Sequence, residues 1–254
     1  MKALVKKVLR SIGYDIVSVR HKEELPLSLR DFDETDWELV EFIRPYTRTG
    51  PERIIALKKA IEYVISNQIP GDIVECGVWR GGNVMAVAKL LTEANEFHRN
   101  IWLYDTFEGM SDPSEKDVAA HSSETADSLL QKENKYDDRS VWCYASLEDV
   151  ERNMDKTGYL KKNIKFIRGK VEDTIPQRMP EKISILRLDT DWYESTKHEL
   201  VHLFPKLVQG GVLIIDDYGH WEGAKLATDE YIRENDVQIL LNRIDYTGRI
   251  GVKL

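Results

Sequence analysis

Apolar positions fall into short continuous runs separated by amphipathic stretches, and this alternation starts near residue 51. "PERIIALKKAIEYVISNQI" puts apolar residues at 54, 55, 57, 61, 64 and 65, a helical stripe opened by Pro51. "GDIVECGV" then reads as a strand, "GGNVMAVAKLLTEAN" as a helix and "NIWLYDTF" as a second strand. "SLEDVERNMDKTG" predicts a helix, with Ser146 and Asp149 in capping-box relation and Gly158 as its stop. "NIKFIRGKV" and "ISILRLD" are the third and fourth strands. "STKHELVHLFPKLVQGG" is a helix bent or shortened by Pro205, "GVLIIDD" a fifth strand and "GAKLATDEYIREN" a further helix. The chain closes in "VQILLNRI" and "GRIGVKL", an expected antiparallel pair.

Strands and helices alternating this regularly predict an α/β protein. Right-handed crossovers give a mostly parallel sheet covered on both faces, here of seven strands with an antiparallel C-terminal end. Ligands of such sheets bind beyond the carboxyl ends of the strands. That rule sets Glu75, Asp105, Asp189 and Asp216 along one rim. Residues 1–50 are expected as an N-terminal helical extension serving substrate or dimer contact, and 51–254 as the main domain. Within it, the polar stretch 108–145 is too long for an ordinary connection and is either a lid or a disordered insertion.

With 254 residues, 42% of them hydrophobic, the chain can bury a full core. A net charge of −8 argues against nucleic-acid binding and suits a cytoplasmic enzyme. The two cysteines, Cys76 and Cys143, lack metal or redox spacing, so a reducing compartment is expected. The first 30 residues are basic, and Leu4, Val5, Val8, Leu9 and Ile12 recur at helical spacing. This element either docks on its own domain or a second subunit, or touches a membrane surface or partner. No stretch has the length of a transmembrane helix.

"VECGVWRGGN" follows the first strand and opens a helix, so Gly77, Gly81 and Gly82 allow a tight turn and close backbone approach to a ligand. The spacing is not G-x-G-x-x-G, and Glu75 would repel a pyrophosphate while accepting hydrogen bonds from an ammonium group. Asp105 ends the second strand, where an acid commonly holds ribose hydroxyls. An acidic first turn and an acidic second strand end suggest a nucleoside with a cationic tail, the form of S-adenosylmethionine (SAM). Val78 and Asn83 in the first turn, Thr106 and Phe107 beside Asp105, and Asp189 join the expected cofactor set. "RGKVEDTIP" would border the adenine, with Val171 on the ring and Glu172 or Asp173 near its amine. Tyr46, Trp79, Phe107, Trp192 and Tyr193 are candidates for shaping the pockets, and His220 for lining the acceptor side.

"RPYTRTGPERI", "PGDIVECGVWRGGN", "LYDTFEGMSDP", "IRGKVEDTIP" and "LRLDTDWYESTKHELVHLFPKLVQGGVLIIDDYG" together resemble the macrocin O-methyltransferase family of SAM-dependent sugar methyltransferases, over roughly residues 40 to 254. The resemblance implies a class I, Rossmann-like methyltransferase fold, SAM as donor, magnesium and a sugar hydroxyl as acceptor. Carried over by position, it makes Asp189, Asp216 and Asp217 metal ligands and Asp191 the general base. Thr190 and Trp192 depart from the Gly and Ser often found in the family around the second acid. Magnesium's preference for oxygen ligands agrees with a set of carboxylates. A homodimer is expected from the N-terminal extension.

Two alternatives stand beside this reading. "HELVH" matches H-E-x-x-H, so His198, Glu199 and His202 would serve a zinc metallopeptidase, with a third ligand from His220 or Glu222. A non-catalytic SAM- or sugar-binding partner subunit is the other.

Overall fold

The computed structural model describes residues 26–254, and the predicted helix around Leu4 to Ile12 lies outside them. Its contacts divide the chain after Phe32. Before that point the described residues carry a short 3-10 turn, Leu27–Leu29.

From Asp33 onward, seven strands build one sheet: β1 (Asp72–Cys76), β2 (Ile101–Asp105), β3 (Ile164–Arg168), β4 (Ile183–Leu188), β5 (Leu207–Ile215), β6 (Asn242–Arg243) and β7 (Arg249–Val252). Their order is β3-β2-β1-β4-β5-β7-β6. The first five run parallel, and β7 joins β5 antiparallel, with β6 beyond it. All six residues of β4 are buried, as a central strand covered on both faces requires. Val74, Leu186, Leu188 and Leu213 meet Leu200 and Leu203 of the helix Tyr193–Leu203 in one apolar cluster.

Two helix boundaries have a clear local cause. Ser146 caps Leu147–Met154 by accepting from the Asp149 N–H, and Gly158 follows at a φ of 71°. Pro205 sits in the 3-10 turn Phe204–Lys206 that ends the Tyr193–Leu203 helix. β5 begins at Leu207, earlier than its apolar pattern predicts, and only two residues of "VQILLNRI" form strand. Upstream of them, Ile239 and Leu241 turn to the core while Leu240 is exposed.

One boundary differs from expectation. Residues 33–50 belong with the main body, because the helix Glu34–Ile43 is tied to the helix Pro51–Ser66. Lys58 Nζ donates to Asp36 Oδ1 at 2.6 Å within a buried pair. The segment 108–145 is packed rather than loose. Its helix Ala126–Lys132 contributes Ala126 and Leu130 to a cluster with Trp192, Trp221 and Ala224. Asp117, fully buried, accepts hydrogen bonds from Ser114 and from the Tyr193 N–H.

The rim is set by backbone. Gly77 N donates to Tyr104 O at 2.8 Å, Asp189 N to Cys76 O at 2.8 Å and Asp216 N to Leu188 O at 2.9 Å, so the four ends of β2, β1, β4 and β5 finish level. Gly77 has a φ of +79°, and a side chain there would collide with the Asp189 carbonyl. Gly77→Ala is therefore expected to lower the unfolding free energy by at least ~2 kcal/mol, measured by denaturant titration. An unchanged midpoint would show that this approach is not tight.

Candidate active site

Beyond the carboxyl ends of β1, β2, β4 and β5 lies a cavity. Gly77, Val78, Asn83, Asp105, Thr106, Val171, Glu172 and Asp189 line it, as do Asp191, Asp216 and Asp217. Tyr46, Trp79 and His220 also reach it, whereas Glu75, Phe107, Asp173, Trp192 and Tyr193 are not in its wall.

Glu75 departs from its expected task. The register of β1 and β4 pairs it with Arg187, whose Nη1 donates to its Oε1 at 2.8 Å, and it is only 2% exposed. Burial pushes its carboxyl up to about 8 although Arg187 pulls it down. It therefore serves as an internal partner of a guanidinium rather than an open acceptor for an ammonium group. Phe107 turns inward against Phe166.

Asp105 binds two turns together. Its Oδ2 accepts from the N–H groups of Val78 at 2.8 Å and Trp79 at 3.1 Å, and its Oδ1 from that of Phe107 at 2.7 Å. Burial raises its pKa and these donors oppose the rise. The helix Gly82–Glu93 starts just beyond, opening toward the same cavity through Asn83.

The acids of β4 and β5 converge. Ligand oxygens of Asp189, Asp191 and Asp217 lie within 4.8 Å of one another, the one such group of three or more His, Cys, Asp or Glu among the described residues. β4 ends at Leu188, and Asp191 takes a left-handed φ of 67°, which brings its carboxylate back to the group. Trp221 Nε1 donates to Asp191 Oδ2 at 3.1 Å. Burial, then the charge of Asp189, pushes Asp191 up to about 7. Burial, then the charge of Asp191, raises Asp217 well above the carboxylate range, and its Oδ2 is buried without a partner. Crowded oxygens with an orphaned acceptor fit a hard divalent cation.

Asp216 differs from the expected ligand set. Its Oδ1 accepts from Arg187 and its Oδ2 from Arg53, so two guanidiniums already compensate it and it lies outside the group. Burial raises it to about 6 against the pull of Arg187.

Arg187 and Arg53 were not among the expected site residues. Arg187 had a signal, a charge inside the otherwise apolar "ISILRL" of a central strand. Arg53 had none, since an arginine in a first helical turn reads as solvated. Tyr246, whose Oη lies 3.1 Å from His220 Nδ1, carried no signal either.

"HELVH" resolves into unrelated parts. Glu199 is fully buried and its Oε1 accepts from Thr190 Oγ1 at 2.9 Å, while His198 Nε2 lies 3.0 Å from the Ile175 carbonyl. The glutamate points into the core beneath the Asp189–Asp191 turn, and neither histidine joins a metal group among the described residues.

The sheet order, the glycine turn after β1 and the acidic strand ends define a class I SAM-dependent methyltransferase. The profile of the Macrocin-O-methyltransferase (TylF) family matches residues 6–250, and the chain belongs to that family. The match reaches into the basic N-terminal segment, beyond the motifs that suggested it. Demethyldecarbamoylnovobiocin O-methyltransferase of Streptomyces niveus is 34% identical over 203 residues, covering 80% of this chain and 74% of that protein. The 8-demethyl-8-(2,3-dimethoxy-alpha-L-rhamnosyl)-tetracenomycin-C 4'-O-methyltransferase of Streptomyces olivaceus is 32% identical, covering 84% and 76%. The solved structure of the O-methyltransferase NovP superposes with a TM-score of 0.72 at 33% identity, covering 82% of each chain. The protein is a SAM-dependent O-methyltransferase. No helix among the described residues is long and apolar enough to cross a membrane.

The raised Asp191 gives a signed pH effect. A carboxylate whose pKa is higher folded than unfolded binds its proton more tightly in the native state, so stability falls as pH rises from about 4 toward about 7. In divalent-free buffer, Asp191→Asn is expected to melt like the parent near pH 4 and several degrees higher near pH 8. Scanning calorimetry at both pH values checks this; equal melting at both would contradict it.

Proposed function

We propose that this enzyme methylates a sugar hydroxyl of a glycosylated natural product or surface glycan, using a divalent cation, magnesium in the first instance, and Asp191 as general base. The observation that carries the reading is the convergence of Asp189, Asp191 and Asp217 in the cavity that also holds the Gly77 and Asp105 turns. The sugar acceptor is supported by the relative named for a rhamnosyl tetracenomycin.

In this reading Asp189 and Asp217 would hold the cation, and Asp216, the neighbour of Asp217 in the chain, shares the cavity wall. A bound divalent cation lowers the pKa of a coordinated alcohol. Asp191 would take the acceptor hydroxyl's proton as that oxygen gains the methyl group and the sulfonium becomes a neutral thioether. Its Trp221 hydrogen bond fixes the carboxylate's direction. The Gly77 turn and Val171, which line the same cavity, would hold the donor, and SAM would supply the methyl group there. Met110, Ser111 and Val141 bring the 108–145 segment to the cavity wall, which supports its role as a cover that excludes water.

Methyl transfer from labelled SAM to a panel of glycosides and nucleotide sugars tests the reading. Activity is expected on at least one sugar hydroxyl, with complete loss on chelation and return with added magnesium. Asp191→Asn is expected to lower kcat by about 10²–10⁴ with the KM for SAM nearly unchanged. Full activity after exhaustive chelation would remove the cation from the mechanism.

A further inference from the structure

We propose that Arg53 is a built-in counter-ion: it occupies the cavity-side oxygen of Asp216, releases it when a divalent cation enters, and thereby sets the affinity for that cation. The proposal rests on the cation reading above and concerns how the protein fills that place with its own charge.

Arg53 is built into position. It lies in the first turn of the helix Pro51–Ser66, its side chain is 12% exposed, and it lines the cavity. Its stem runs over Gly248, where a Cβ would come within 2.8 Å of Arg53 Cδ. The absence of a side chain at 248 is what leaves room for it.

The two oxygens of Asp216 face different cations. Oδ1 accepts from Arg187, which is 3% exposed and belongs to the interior. Oδ2 accepts from Arg53 on the cavity side. Asp217, the next residue, is already in the group with Asp189 and Asp191. Arg187 also reaches Asp189, so of the two contacts to Asp216 the Arg53 one is made by a side chain that lines the cavity.

Arg53 can release that contact at low cost because it has a second anchor. Its Nε donates to Asp245 Oδ2 at 3.0 Å. The other Asp245 oxygen is held by the N–H groups of Thr247 at 2.9 Å and Gly248 at 2.6 Å, so that carboxylate is fixed. On losing Asp216, the guanidinium stays paired, and no bare buried charge results. Meanwhile its positive charge opposes any cation arriving at the neighbouring acids. Among the described residues, Arg53 and Arg187 are the buried cations paired with Glu75, Asp189, Asp216 and Asp245, and neither forms an ion pair with Asp191 or Asp217.

Calorimetric titration of Mg²⁺, and separately Mn²⁺, into divalent-free protein at low ionic strength tests this, with melting curves to confirm folding. Arg53→Met is expected to bind either ion about tenfold more tightly than the parent, and Arg53→Lys, which keeps the charge, within about twofold of it. Should Arg53→Met fail to fold, Asp245→Asn serves instead. It keeps an acceptor for Thr247 and Gly248 but weakens the second anchor, and is expected to bind the ion several-fold more weakly. Unchanged or weaker binding by folded Arg53→Met, or Lys binding as tightly as Met, overturns the proposal alone. No binding by parent or variant defeats the cation reading and this inference with it.

Discussion

A guanidinium buried in the central strand must be paired, and the partners of Arg187 fix where the site's acids can be. Its Nη1 bridges Glu75 on β1 and Asp189 just past β4, and its Nη2 reaches Asp216 just past β5 and Thr49. An unpaired charge in that place would cost several kcal/mol, so the three strand ends are held together by more than their ladders. The same demand explains why Glu75 is consumed inside the protein and is not free to face a ligand.

From that constraint the chemistry of the rim follows. Asp189 is shared between the buried arginine and the cavity, and Asp191 and Asp217 are pressed against it with no guanidinium partner among the described residues. Burial and mutual repulsion raise both, so each holds its proton more tightly than a free carboxyl. The donor side is organised separately, by the Asp105 carboxylate clamping the turns after β1 and β2. The two sides meet where Gly77 lies against the Asp189 carbonyl. In the proposed function, donor and acceptor subsites would thus be joined through backbone, which suits a reaction that depends on alignment.

The "HELVH" segment shows how a local pattern loses its meaning in a fold. Its residues lie on a crossover helix whose inward face must be buried, and Glu199 faces that way, under Thr190. There it supports the turn in which Asp191 adopts its left-handed backbone. A zinc site would need the two histidines and a third ligand on one open face; His198 instead meets the Ile175 carbonyl of the segment between β3 and β4.

The sequence by itself determined the parallel sheet, the level acidic strand ends and the glycine turn. Each follows from short-range periodicity and from the rule that such sheets bind at their carboxyl edge. It also carried the acids at 189, 191, 216 and 217, and the family motifs. Tertiary structure decided how the charges pair: Glu75 goes to Arg187, Asp216 to two arginines, and Asp191 into a group with Asp189 and Asp217. Those pairings join residues distant in the chain, and they are settled by register, burial and the cost of leaving any buried charge alone, none of which a linear pattern contains. The packing of residues 108–145 was hidden for a related reason, since its few apolar residues gain meaning only against Trp192 and Trp221.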